Sequence, residues 1–254
     1  MGKHGFGVDI GGTGIKGAPV DLRKGKLAEE RFRVPTPQPS TPEAVAGVVR
    51  EVLDHFDWQG PFGCTFPAVV QHGMVRTAAN VDSAWIGTDA HKLLGKVTGR
   101  RPLVVNDADA AGLAEVHFGA AKDVEGVVLV STLGTGIGSA LLVDGRLVPN
   151  TELGHLEIDG HDAEAGAADS ARERENLSWA DWAARLTRYF QHLENLFWPD
   201  LIVVGGGVSK KADNWLSLVD VRTEIVPAKL LNDAGIVGAA VLAAEQFGAG
   251  GRKH

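Results

Sequence analysis

Short apolar runs alternate along the chain with glycine- and threonine-rich turns, and the first run starts within the opening residues. "GFGVDIGG" and "IKGAPVDL" read as two strands of a hairpin, since Gly-Gly in the turn permits positive φ. Residues 41–56, "TPEAVAGVVREVLDHF", repeat apolar positions at helical spacing behind Thr41 as cap and Pro42 at the first position, which predicts a helix. "PFGCTFPAVV" (61–70) predicts a strand running into a loop. "RPLVVNDADAAGLAEVHFG" predicts a strand, a polar corner at Asn106 and Asp107, and a helix from about 109. Residues 126–148 predict a strand, a Gly/Thr-rich turn, a second strand, an Asp-Gly turn and a third strand. A long amphipathic helix follows at 178–198, then a buried strand ending in three glycines and a helix start (199–213). The small-residue helix at 235–247 is suited to close approach of another backbone.

The stretch at 126–148 repeats the plan of the opening: apolar strand, Gly-Thr-Gly turn, apolar strand, Asp/Gly turn. The repeat predicts two related α/β lobes, each offering a phosphate-facing hairpin to a shared cleft. A chance likeness of two glycine-rich hairpins is the plain alternative. The 254-residue length is ample for two lobes. The 44% hydrophobic and 22% charged residues are an ordinary globular balance. A net charge of −7 argues against a surface built for nucleic acid or anionic membrane. A single cysteine, Cys64, excludes an intrachain disulfide and a Cys-rich zinc site. No signal segment or membrane-length apolar run is present, so a cytoplasmic enzyme is expected.

The chemistry concentrates in the turns. A glycine-rich turn exposes N–H groups that cradle phosphate oxygens. In the first turn these are Gly11, Gly12 and Gly14, with the hydroxyl of Thr13 and the point charge of Lys16. Asp9, on the strand leading in, can hold Mg²⁺ directly or through water. Lys16 precedes Gly17 rather than a hydroxyl residue, so this is not the common G-x-x-x-x-G-K-[ST] phosphate loop. Taken alone, each hairpin has an equal claim to being a turn and nothing more. Two such hairpins together with "VVGGGVS" point to three loops lining one site.

"DIGGTGIKG" (9–17), "TLGTGIGSAL" (132–141) and "VVGGGVS" (203–209) resemble, in order and spacing, the two phosphate motifs and the adenosine-end motif of sugar kinases with the actin/hexokinase fold. "TFPAVVQHGMV" (65–75), "TAANV" (77–81), "VVNDADAAGLAE" (104–115) and "ELGHLEID" (152–159) resemble the sugar-side motifs of the ROK family. The likeness spans roughly residues 6–245. "VRTAANVD", "WIGTDA" and "ELGHLEIDGHDAE" are most similar to the short polyphosphate-using glucokinases within that family. The resemblance implies an α/β, two-lobed actin/hexokinase-like (ribonuclease-H-like) fold with a central cleft. Its smaller N-terminal lobe would be residues 1–108, completed by the C-terminal helix 235–248, and its larger lobe 109–234.

It also implies roles. Asp107, at the end of a buried strand, would be the general base for a sugar 6-hydroxyl, although "NDAD" also offers several plain helix caps. Asn80, Asn106, Glu152 and His155 would hold the sugar, with the loop at Ala68 bordering it. Glu152 and His155, three apart, share one side of a helical turn. Related chains carry a zinc-binding cysteine cluster after this His, but residues 156–178 contain no Cys, so no zinc is expected. A second sugar-binding Glu is left open among Glu164, Glu173 and Glu175. Ala68 stands where relatives often have Gly. Thr132, Gly134, Thr135 and Gly136 would meet the donor from the second lobe, and Gly206, Gly207 and Lys210 its far end.

Mg²⁺ is expected, because charge neutralisation dominates phosphoryl transfer. ATP fits the "VVGGGVS" loop. Polyphosphate calls instead for a basic track, with Lys210, Lys211 and Lys229 as candidates and a solvated lysine pair as the plain alternative. A strictly ATP-dependent hexokinase acting on glucose, mannose or an N-acetylated hexosamine is the alternative within the class, and a catalytically silent sugar sensor the alternative outside it. A sugar-responsive repressor would need a DNA-binding segment before the first motif, and about seven residues precede it. The aromatic surplus of helix 178–198 (Trp179, Trp182, Tyr189, Phe190, Phe197, Trp198) is read as a homodimer contact, against a core helix.

Overall fold

The structure is a computed structural model that describes residues 3–78 and 81–248. The chain divides into two compact units. One runs up to Ala114 and resumes at Asp233; the other is continuous from Glu115 to Asn232.

The first unit is built on a sheet of order β3-β2-β1-β5-β8, with β4 also on β2. Strands β1 (His4–Ile10) and β2 (Gly14–Asp21) form the hairpin expected from the opening sequence, with Asp9 opposite Lys16. Strands β3 (Lys26–Leu27) and β4 (Phe32–Pro35) pair with the two ends of β2. Helix α1 (Pro42–His55) is capped by the Thr41 side chain, which accepts from Ala44 N. Strand β5 (Phe62–Phe66) lies parallel to β1. A small hairpin of β6 (Val70–Gln71) and β7 (Met74–Val75) leads to α2 (Ala90–Thr98). Strand β8 (Pro102–Asn106) lies parallel to β5. Helix α3 starts at Asp107, two residues earlier than the sequence suggested, and ends at Phe118. The earlier start has a cause: the Asn106 side chain accepts from the N–H groups of Ala108 and Asp109 and so caps the helix.

Alternation along β1 and β5 sorts the two faces of this sheet. Phe6, Val8, Ile10, Phe62, Cys64 and Phe66 are buried in one core with Val49 and Leu53 of α1. Gly7 and Gly63 lie on the opposite face, under α7 (Ala234–Phe247). A methyl on Gly63 would lie 1.8 Å from Ala239 O, and one on Gly7 1.9 Å from Ile236 O. These glycines let the small-residue helix settle directly on backbone. Asp9 and Thr65 continue the same face just past the helix start, at Gly235.

The second unit repeats the plan. Strands β9 (Val127–Leu133), β10 (Ile137–Val143) and β11 (Arg146–Val148) form an antiparallel meander. A short hairpin of β12 (Glu157–Ile158) and β13 (His161–Asp162) precedes α4 (Ala163–Ala167) and α5 (Asp169–Arg174). Helix α6 (Trp179–Phe197) is followed by β14 (Leu201–Gly205) and β15 (Ile225–Pro227), both parallel additions. The order β11-β10-β9-β14-β15 has the same sequence of antiparallel and parallel joins as β3-β2-β1-β5-β8. The turn residues after β14 form a 3₁₀ segment, Gly207–Asn214, rather than an α-helix.

Most of the aromatic surplus of α6 is spent inside this unit. Trp182, Tyr189 and Phe190 are buried with Trp215 and Ile202. Only Trp198 among the rings is largely exposed, at 70%, and Arg222 lies over it. Glu115, the first residue of the unit, is buried, and its carboxylate accepts from the N–H groups of Ala120, Lys229 and Leu230. Among the described residues, no helix is long and apolar enough to cross a membrane.

Candidate active site

In the first unit every candidate among the described residues sits on or just beyond the C-terminal ends of the parallel strands β1, β5 and β8, or on the hairpin that follows β1. Ligands gather there in open α/β sheets. Gly11, Gly12, Thr13 and Gly14 turn β1 into β2, and Gly11 N–H closes the turn on Gly14 O at 3.1 Å. Gly12 and Thr13 are exposed. Asp9 is held on both oxygens: Thr65 Oγ1 donates to Oδ1 at 2.6 Å, and Lys16 Nζ lies 3.0 Å from Oδ2. The Lys16 ammonium is thereby parked beside the turn. Thr65 escaped the sequence reading because it is 56 residues from Asp9 and meets it only through strand register.

Asn106 and Asp107 close β8. Asn106 is buried, and besides capping α3 it donates from Nδ2 to Ala68 O at 3.2 Å. One amide thus fixes both the start of α3 and the loop after β5, and the Ala68 methyl is buried in that loop. Asp107 is exposed at the head of the helix, with Oδ1 accepting from its neighbour's N–H (Ala108) at 2.9 Å. A carboxylate so placed is accessible and oriented. Asn80, the remaining sugar candidate of this stretch, lies outside the described residues.

In the second unit, Glu152, His155 and Glu164 come together. Leu153–His155 is a 3₁₀ turn with Glu152 at its start, and His155 Nε2 is 3.9 Å from Glu152 Oε2. Asp162, which the sequence reading did not single out, bonds His155 Nδ1 at 3.1 Å and caps α4 through Ala165 N. That bond, with the nearby carboxylates of Glu164, Asp162 and Glu152, holds the His155 pKa above its ordinary value against partial burial. Burial, with Glu164 close by and His155 opposing, raises that of Glu152. Glu164 accepts the Ile137 N–H at 2.7 Å, and its carboxylate lies where a methyl on Gly136 would stand. Of the three glutamates left open, Glu164 is the one at this cluster; Glu173 pairs with Arg172, and Glu175 with Arg174 and Arg185.

The second glycine turn is braced from α5. Ser170 donates its N–H to Gly134 O and its hydroxyl to Thr135 O. Gly134 N–H bonds Gly136 O, and Thr135 is exposed. Thr132 pairs in register with Gly205, so this turn and the Gly206–Gly207 turn are neighbours at the ends of parallel strands. Gly206 has φ of 85° and stands against the Leu133 backbone, a position only glycine fills. Lys210 and Lys211 are exposed on the following 3₁₀ segment, and Lys229 is exposed after β15.

Asp9 is the carboxylate of the first turn that could take Mg²⁺. Among the described residues no group of three or more His, Cys, Asp or Glu side chains is placed to hold a metal. One carboxylate suits Mg²⁺ that arrives on phosphate oxygens and keeps its waters, not an all-protein cage.

Two sheets of one topology, each with a glycine turn on its leading hairpin, define an α/β protein of the actin/hexokinase-like class. The structure of a ROK family glucokinase from Streptomyces griseus shares this fold, with TM-score 0.81 at 24% identity over 95% of this chain and 99% of that one. The profile of the ROK family matches residues 5–171, and the chain belongs to this family. It is 53% identical over 240 residues to a polyphosphate glucokinase from Mycobacterium tuberculosis (strain CDC 1551 / Oshkosh), covering 94% of this chain and 91% of that one. It is also similar to the crystal structure of an inorganic polyphosphate/ATP-glucomannokinase from Arthrobacter sp. strain KM. That match has TM-score 0.92 and 57% identity, covering 97% of this chain and all of the other.

Proposed function

We propose that this protein is a polyphosphate–glucose phosphotransferase. It moves a phosphoryl group from inorganic polyphosphate, with ATP as a second donor, to the 6-hydroxyl of glucose. The observation that carries the reading is the 53% identity to a polyphosphate glucokinase along nearly the whole length of both chains. The motifs at 9–17, 132–136 and 152–155 lie within the matched family region.

Asp107 takes the proton from the sugar hydroxyl as it attacks, its carboxylate already directed by the head of α3. Asn106 holds that helix start and the Ala68 loop in register. Glu152, His155 and Glu164, with Asn80, match the hydroxyls of the sugar. Gly11, Gly12, Thr13, Gly14 and Lys16 receive the donor phosphates, and so do Thr132, Gly134, Thr135 and Gly136. Gly206, Gly207 and Lys210 receive its far end. Asp9 holds Lys16 in place and would ligate Mg²⁺. When bound, the ion neutralises charge on the phosphates. Mannose is a second acceptor, a reading favoured by the glucomannokinase relative. A cytoplasmic location and a homodimer complete the proposal; Trp198 and Leu196 are the apolar side chains that the end of α6 leaves exposed.

The test is formation of glucose 6-phosphate from glucose and Mg²⁺ with long-chain polyphosphate or with ATP. Turnover with polyphosphate is expected. Turnover with ATP alone would make the protein an ordinary hexokinase, and glucose binding without turnover from either donor would make it a sensor. Asp107→Asn should lower kcat by about 10²–10⁴-fold while glucose still binds.

A further inference from the structure

A basic side chain that no motif includes lies on the first glycine turn. Arg33, on β4, stands directly opposite Lys16 in the β2–β4 register. Lys16 in turn stands opposite Asp9, so Arg33, Lys16, Asp9 and Thr65 form one row across a single face of the sheet. Arg33 Nη2 donates to Thr13 O at 2.9 Å. Its guanidinium covers Gly14 so closely that a methyl there would lie 2.5 Å from Nε. A residue other than glycine at 14 would push the guanidinium off the turn.

Two cations placed directly opposite each other across strands repel. Lys16 is compensated by Asp9. Arg33 is exposed and forms no ion pair with a carboxylate among the described residues. Arg31, just ahead of β4, reaches Asp233 at the start of α7. The guanidinium of Arg33 therefore keeps most of its five N–H donors for an outside acceptor, in the planar fork that suits a phosphate.

Position within the unit says which phosphate. Arg33 and Asp107 lie on or just beyond opposite sides of the strand series β4-β2-β1-β5-β8. At about 4.8 Å per strand, four spacings separate them by roughly 19 Å. A donor whose reacting phosphorus lies near the base places Arg33 well along its chain. We infer that Arg33 is a subsite for a phosphate of the polyphosphate chain beyond the one transferred, so that it favours long chains over short ones. This rests on the donor reading above.

The experiment measures glucose phosphorylation with long-chain polyphosphate, tripolyphosphate and ATP, for the wild type, Arg33→Ala and Arg33→Lys, across a series of salt concentrations. For Arg33→Ala, the KM for long-chain polyphosphate should rise about tenfold and that for tripolyphosphate less than threefold. By analogy with counterion release from other polyanions, the slope of log affinity against log salt should fall by about one. Arg33→Lys should restore the slope and part of the affinity. An equal rise for both chain lengths at unchanged slope would reduce Arg33 to a prop for Thr13 and overturn the proposal, as would no change in either. If the wild type uses ATP but no polyphosphate, the donor reading itself fails. If the wild type uses polyphosphate while Arg33→Ala behaves like it, this inference fails alone.

Discussion

Asp162 holds the His155 ring with one oxygen and caps α4 with the other. Asn in its place would still cap a helix but would carry no charge. Because the folded His155 pKa is raised, its stabilising share is fully present below the unfolded value of about 6.5 and is lost as pH rises through the folded value. Asp162→Asn should therefore be less stable than the wild type at slightly acid pH, with the gap closing above the folded His155 pKa. Denaturant unfolding at a series of pH values measures this, and a gap that widens with pH would contradict it. Glu152 and Glu164 also face this ring, so the shift should shrink but not vanish. Asp9 and Lys16 stand out in the sequence because they flank the glycine turn, and the hairpin register then sets them opposite each other. Asp162 was not. It reaches His155 only because the chain doubles back through β12 and β13, two-residue strands too short to leave a pattern. Arg33 lay in an unremarkable "RFR", and only the β2–β4 register brings it over Gly14.

Elements show a similar divide. Long periodic stretches such as α1, α6 and the two hairpins were readable, since burial on one face imposes the period. The aromatic surplus of α6 reads as a homodimer contact in the sequence, yet Trp182, Tyr189 and Phe190 are buried within the unit with Trp215 and Ile202, which leaves Trp198 as the largely exposed ring. Helix α7 is legible by its small residues, and glycines at its seat and in α1 give two opposed predictions. Gly63→Ala sets a methyl against the Ala239 backbone and should cost about 3 kcal/mol, seen as a lower denaturation midpoint. Gly47→Ala, within α1 and with nothing near its would-be methyl, should instead stabilise by about 0.5–1 kcal/mol.

Across the whole molecule, one strand plan occurs twice, and the sequence shows it as a faint repeat because the likeness is confined to the leading hairpins and their turns. The two copies differ in continuity. The unit from Glu115 to Asn232 is one unbroken stretch, whereas the other waits for α7, which follows that whole stretch. This sets an order of birth on the ribosome, where domains fold as they emerge. The unit that begins first should finish second. Until α7 is released, Gly7 and Gly63 line an open backbone trough, and the strands around it have no lid. Chains that end at Asp233 and are clear of the ribosome should thus resist protease within 115–232 and be cut readily before Ala114. Equal resistance of both stretches would mean that the early strands close without their last helix. Such a protein depends on a helix made after the whole of the second unit to complete a unit whose first strand was made before it.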